Sequence, residues 1–118
     1  MPISRRQFDL GINKEIESWM SRIDEFLAQH PSEAFSATEL AKQFGLPELD
    51  IPVRGVALGL FPERMSDEQK RFAVALVKLS EVGVVSEREV AGAAYFASGR
   101  YRLSEILDDT APRGAKNR

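Results

Sequence analysis

The stretch FAVALVKLSEVGVVSEREVAGAAYFASGRYRL, residues 72–103, has the apolar spacing of a helix before Gly83 and residues typical of strands after it. Its first part continues a segment that begins at Ser66, where Ser66 and Gln69 have the spacing of a capping box. Asp67 and Glu68 suit the positive end of a helix. The apolar residues then recur every three or four positions, at Phe72, Leu76, Leu79 and Val82. The sequence therefore predicts a helix over 66–82 that Gly83 ends.

The residues after Gly83 favour a β-hairpin. Val84–Val90 and Ala93–Ser98 contain the valine, tyrosine and phenylalanine that strands prefer, and they are separated by Ala91-Gly92. Ala-Gly is not a preferred two-residue turn, so a longer loop is also compatible with the pattern. In the two-residue register Arg88 lies opposite Tyr95, where it can stack on the ring or reach a phosphate.

A helix over 86–98 is the alternative for the same residues. Ser86 and Glu89 have capping-box spacing, the alanines favour a helix, and Gly99 can end it. The Val84-Val85 pair directly after a glycine argues for the hairpin, because a helix would have to end and restart within two residues.

A first helix is predicted upstream, over 12–30. Its apolar stripe is Ile12, Ile16, Trp19, Met20, Ile23, Phe26, Leu27 and His30. Asn13 or Asp9 can start this helix, and Pro31 stops it. Trp19, in the middle of the stripe, is expected to be more than half buried in the core or a dimer interface. His30 is expected to interact with free carbonyls at the helix end.

A short second helix is predicted over 37–44, within FSATELAKQFGL (35–46). Ser36 and Glu39 form its capping box, and Gly45 can take the left-handed conformation that ends it. A short extended segment precedes it. The following stretch, Leu46–Met65, is rich in proline and glycine, and Asp50–Phe61 within it is interpreted as a short helical or irregular segment.

The composition is that of one globular domain of ordinary polarity. The chain has 118 residues, 43% hydrophobic and 29% charged, with one histidine and no cysteine. A cysteine zinc site and disulfides are thus excluded, and no metal, cofactor or enzymatic activity is expected. No apolar run approaches the roughly 18 residues of a membrane span, and no signal peptide is visible. A cytoplasmic protein with no membrane partner is expected.

The order of elements resembles the winged helix-turn-helix superfamily. The resemblance covers about residues 12–103 and is carried by Leu76, Leu79, Gly83-Val84, Gly92 and Tyr95-Phe96. It implies a mostly α fold with a small hairpin (α+β): a three-helix core plus a wing, with an insertion over Leu46–Met65 between the second and third helices. The alternative is that Asp50–Phe61 is itself the helix after the turn; the insertion is preferred because the recognition helix should lead into the wing, and only 66–82 does. The domain boundaries are then an N-terminal arm (1–11, loose over 1–8), one winged helix domain (12–107) and a disordered tail (108–118).

The resemblance implies sequence-specific binding of double-stranded DNA and transcriptional regulation, by a homodimer whose surface is the first helix and N-terminal arm. The alternative is a winged helix that contacts a protein partner, or a small accessory subunit of a larger assembly. The net charge of −2 and the pI of about 5.5 fit that alternative better, because DNA-binding domains are usually basic.

The residues proposed to contact DNA are cations and one valine. They lie on the second helix, the outward face of the third, the wing and the strand that leaves it: Lys42, Lys70, Arg71, Val74, Lys78, Arg88, Arg100 and Arg102. Asp67 and Glu68 would repel phosphate at the third helix, and Glu87 and Glu89 flank Arg88. Each cation is equally compatible with an ordinary solvated surface.

Overall fold

The computed structural model describes residues 4–46 and 65–107, which form an α+β domain. The elements in chain order are α1 (Arg5–Leu10), α2 (Lys14–Ala28), β1 (Phe35–Ser36), α3 (Ala37–Gln43), α4 (Asp67–Glu81), β2 (Val85–Val90), β3 (Ala93–Ser98) and α5 (Leu103–Leu107). The interpretation of Asp50–Phe61 and the predicted tail over 108–118 fall outside the described residues.

The three predicted helices are confirmed, each with the start that its capping residue indicates. Asn13 caps α2, and its side chain accepts a hydrogen bond from the Ile16 amide at 2.9 Å. Ser36 and Ser66 form complete capping boxes at the starts of α3 and α4. At each of these three helix starts, a nearby side chain accepts from a backbone N–H that has no partner within the helix. These boundaries could therefore be predicted from the sequence.

The N-terminal residues are helical from Arg5, so the expectation of a loose segment over 1–8 was wrong for them. Ser4 and Gln7 form a capping box, and Gly11 ends α1 in the left-handed conformation at φ 70°. Gln7 Nε2 also donates to Glu17 Oε1 at 2.8 Å, which ties α1 to α2. A six-residue helix is too short to show a helical period of apolar residues, so only its capping residues indicate it in the sequence.

The hairpin is confirmed, and the helix over 86–98 was wrong. β2 pairs with β3 antiparallel, and Val90 and Ala93 close a two-residue turn. Ala91 and Gly92 both have positive φ, 54° and 85°, as a type I′ turn requires. β1 adds to the other side of β3, which gives the strand order β1-β3-β2.

The core lies between α2, α3, α4 and one face of the sheet. α2 packs along α4, and Phe96 points inward from the central strand. Trp19 is 5% exposed, which confirms its predicted burial, and it makes edge-to-face contacts with Phe44 and Phe72 at centroid distances of 5.7 and 5.5 Å. An aromatic cluster therefore joins the three main helices.

Candidate nucleic-acid interface

Four of the proposed contact residues share one face of α4. Residues three and four apart in a helix are neighbours, and this face carries Lys70, Arg71, Val74 and Lys78. All four are partly exposed, whereas Phe72, Ala73 and the run Ala75–Val77 between them are buried. The helix thus has a narrow, partly exposed face, and the residues on it are those that the helical period predicted to point outward.

The cations of this face are paired with acids on the same helix. Arg71 Nη1 lies 3.0 Å from Glu68 Oε1, and Lys78 Nζ lies 3.7 Å from Glu81 Oε1. Lys70 also has an interaction within the protein. The side chains of Arg71 and Lys78 are 39% and 30% exposed, and exposed pairs of this kind contribute little to stability. A phosphate or a base edge could therefore replace either acid.

Glu68 has a second partner that the sequence did not indicate. The Trp19 indole Nε1 donates to Glu68 Oε2 at 3.0 Å, while the other carboxylate oxygen accepts from Arg71. We expected Glu68 to repel phosphate beside Arg71; in the structure it also connects Arg71 to the core. The tryptophan and the glutamate lie 49 residues apart, so no local pattern could reveal this contact.

The hairpin places Arg88 on the outer face of the sheet. Arg88 pairs with Tyr95 in the predicted register. Side chains alternate along a strand, so Glu87 and Glu89 lie on the opposite face, the one that carries Phe96. The acids that flank Arg88 in sequence therefore project away from it. Arg88 is exposed, and the cation–π contacts within the described residues involve other arginines.

Arg100 follows the end of β3, where the backbone is closely packed. The Gly99 amide donates to the Val84 carbonyl at 2.8 Å, and the Tyr101 amide donates to the Gly83 carbonyl at 3.1 Å. A Cβ at Gly99 would lie 2.5 Å from the Gly83 carbonyl oxygen, so a glycine is required there. These bonds hold the exposed Arg100 close to the end of α4.

Arg102 forms an ion pair within the protein, with Asp24. Its Nε lies 3.1 and 3.2 Å from the two carboxylate oxygens of Asp24, and its Nη2 lies 3.2 Å from Oδ2. The Asp24 side chain on α2 is 9% exposed, whereas that of Arg102 is 54% exposed. The hydrogen bonds to Asp24, and then the charge of that carboxylate, raise the pKa of Arg102 above its ordinary value. Arg102 thus compensates a buried carboxylate.

Lys42 lies in the last turn of α3, exposed. A cation there interacts favourably with the negative end of the helix dipole. At the end of α2 the His30 Nδ1 lies 2.8 Å from the Phe26 carbonyl oxygen, which is the contact with a helix-end carbonyl that was predicted for this residue.

An open cleft of about 380 Å³ lies beside Trp19, between α2 and the first turn of α4. Its lining residues are Lys14, Glu15, Ser18, Trp19, Arg22 and Glu68. The Arg22 guanidinium covers the Trp19 ring at 4.0 Å from its centroid. Within residues 4–46 and 65–107, no group of three acidic or histidine side chains is placed to hold a metal ion. No helix in those ranges is both long and apolar enough for a bilayer span.

Neither a protein-family model, nor a curated protein, nor a solved structure matches the chain.

Proposed function

We propose that this protein is a winged helix domain that binds specific DNA sequences and regulates transcription. The observation that carries the proposal is the arrangement around α4. The short helix α3 precedes it, and the two-stranded hairpin follows it directly through Gly83. In the sheet order β1-β3-β2 the two hairpin strands are neighbours, and they contact α4 and α2; in this proposal the hairpin acts as the wing. A helix with an open face, followed by such a wing, is suited to lie in a major groove.

The contacts follow from this placement. Arg71, in the N-terminal half of α4, is proposed to read a base edge, and Lys78 one turn or more further on to bind a phosphate. Arg88 and Arg100 are exposed and lie on the wing and at its base, where phosphates of the same duplex would approach. Arg102 and Lys42 have roles within the fold and are expected to contribute less. This function needs no catalysis, metal or cofactor, and it fits a cytoplasmic protein.

The test is a binding titration on a pool of genomic fragments at two salt concentrations. Wild type is expected to enrich particular fragments and to lose affinity steeply with salt, by about 0.9 in log–log slope for each phosphate contact. Arg71→Ala should lose discrimination worth about 1–3 kcal/mol, and Lys78→Ala should weaken all fragments alike. Lys14→Ala removes an exposed cation on α2 and should change neither quantity. Equal weak binding by all four proteins, with no fragment enriched, would contradict the proposal.

A protein partner is the second candidate, and the wing tip favours it. Val90 is 54% exposed, and Ala91–Ala93 beside it are exposed and uncharged. Lys78 and Arg71 already have acidic partners on α4. In that case Val90→Ser would abolish association with the partner, whereas Arg71→Ala would not. DNA binding by the wing instead predicts that Val90→Ser leaves fragment enrichment unchanged.

A further inference from the structure

Glu68 connects the open face of α4 to a rigid part of the core. One carboxylate oxygen accepts from the Trp19 indole at 3.0 Å, and the other accepts from Arg71 Nη1 at the same distance. The indole itself cannot move freely, because Phe44 and Phe72 pack against its ring edge-to-face and Arg22 covers it. Glu68 is therefore an exposed carboxylate whose position is fixed by a buried donor.

This carboxylate orients Arg71 but leaves other N–H donors of its guanidinium available. A guanidinium has five N–H donors, and Glu68 is bonded at Nη1. The remaining donors are enough for the bidentate contact with O6 and N7 of guanine, which is the commonest arginine contact in the major groove. An arginine held in one orientation loses less side-chain entropy when it makes such a contact.

We propose that Glu68 is a positioning residue that determines the sequence specificity of Arg71, an inference that rests on the proposed DNA-binding function. Its negative charge disfavours the phosphate contacts that any duplex offers, because a carboxylate and a phosphate repel each other at close range. The same carboxylate holds Arg71 ready for a guanine edge. Specificity is the difference between the affinity for the target sequence and the affinity for other DNA. Glu68 increases this difference by weakening the binding of other DNA.

The variant that tests this is Glu68→Gln, which retains an oxygen acceptor for Trp19 and removes the charge. It is compared on two duplexes: the fragment that wild type enriches most, and a scrambled duplex of the same composition. Glu68→Gln should bind the scrambled duplex more tightly and reduce the ratio of the two affinities about tenfold. Arg71→Ala combined with Glu68→Gln should show no further loss of discrimination, because both changes act through one contact.

Asp67→Asn is the matched control. Asp67 is the neighbouring residue in the first turn of α4, it is exposed, and it forms no ion pair within the described residues. Its removal changes the net charge equally and should tighten both duplexes by the same factor. If Asp67→Asn and Glu68→Gln give the same change in the ratio, Glu68 acts only as bulk charge and the inference is wrong.

Two further measurements separate this outcome from unfolding and from failure of the proposed function. Glu68→Asp keeps the charge but is too short to reach both Trp19 and Arg71, so it should lose discrimination as Glu68→Gln does. The far-ultraviolet circular dichroism spectrum should stay native in each variant, since it reports the helices and does not depend on the Trp19–Glu68 hydrogen bond that the variants change. Full discrimination by Glu68→Asp would overturn the inference, whereas absence of discrimination by wild type would overturn the proposed function itself.

Discussion

Arg102 and Asp24 lie 78 residues apart in sequence, and their side chains meet where α5 reaches α2. Asp24 is buried, and a buried carboxylate without donors destabilises a folded protein. Arg102→Met should therefore lower the melting temperature in thermal denaturation monitored by circular dichroism. Arg100→Met, two residues earlier at an exposed arginine, is the control and should not change it. Equal melting temperatures for the two variants would show that water satisfies Asp24 instead.

The pH dependence of this contribution follows from the raised pKa of Arg102. A raised pKa means that the fold favours the protonated form, so the stabilisation is fully present below the pKa of unfolded arginine. It is lost only as the pH rises through the still higher pKa in the folded protein. The difference in melting temperature between wild type and Arg102→Met should therefore stay constant from neutral to mildly alkaline pH. A difference that shrinks over this range would mean that another group supplies the stabilisation.

Trp19 shows how a single side chain supports several helices. It is 5% exposed and contacts rings from α4 and from the end of α3. Trp19→Ala would leave a cavity and should cost about 3–5 kcal/mol of unfolding free energy in urea denaturation. Ser18→Ala is the control, because Ser18 is the exposed neighbour of Trp19 on the same helix and its truncation should stay within about 0.5 kcal/mol. Similar costs for both would mean that the aromatic cluster is not the centre of the core.

At the level of elements, the hairpin turn contains a residue that does not suit it. Ala91 has φ 54°, a left-handed conformation that costs a residue with a Cβ roughly 1–2 kcal/mol. Asparagine tolerates this conformation, and Asn-Gly is a preferred type I′ pair. Ala91→Asn should therefore stabilise the protein by up to about 1 kcal/mol in urea denaturation. Ala93→Asn, after the turn, should give no gain; a loss of stability in Ala91→Asn would contradict the two-residue turn.

Capping residues show what local sequence could and could not predict. Ser36-x-x-Glu39 and Ser66-x-x-Gln69 correctly marked helix starts because an apolar period follows each. Ser4-x-x-Gln7 marks α1 equally well, but six residues are too few for a period, and α1 was missed. Ser86-x-x-Glu89 has the same spacing and lies in β2. The capping motif is therefore decisive only together with the pattern that follows it.

At the level of the whole molecule, the contacts that define the candidate site are long-range. The outward face of α4 followed from its period, and the Arg88–Tyr95 pair followed from the turn. The pairing of Arg102 with Asp24 and of Glu68 with Trp19 did not, because each depends on how distant elements pack. Sequence alone therefore placed the cations of α3, α4 and β2 on their elements. It was wrong to place Arg100 and Arg102 on a strand, since both follow the end of β3 at Ser98, and it could not show which cations the fold itself uses.

The last prediction concerns the oligomeric state, and it follows from how few cations of the described residues are available to contact DNA. Because Arg102 is paired with Asp24, residues 4–46 and 65–107 offer few other arginines and lysines to a duplex, and the chain carries a net charge of −2. One module of this kind would bind DNA weakly, so the proposed function predicts a homodimer that contacts two half-sites. Light scattering should then give twice the 13.2 kDa of the chain.

The expected dimer surface is the first predicted helix, which is α2, together with the N-terminal arm that contains α1; Phe8 on α1 provides its test. Phe8 is 67% exposed on a helix that a Gln7–Glu17 hydrogen bond joins to α2. Phe8→Ser should shift the protein to a monomer and roughly halve the salt slope per complex, because the slope counts phosphate contacts. Val90→Ser, at an exposed residue of the hairpin, should leave the mass unchanged. A wild type that remains a monomer at micromolar concentration yet selects DNA sequences would show that one module suffices.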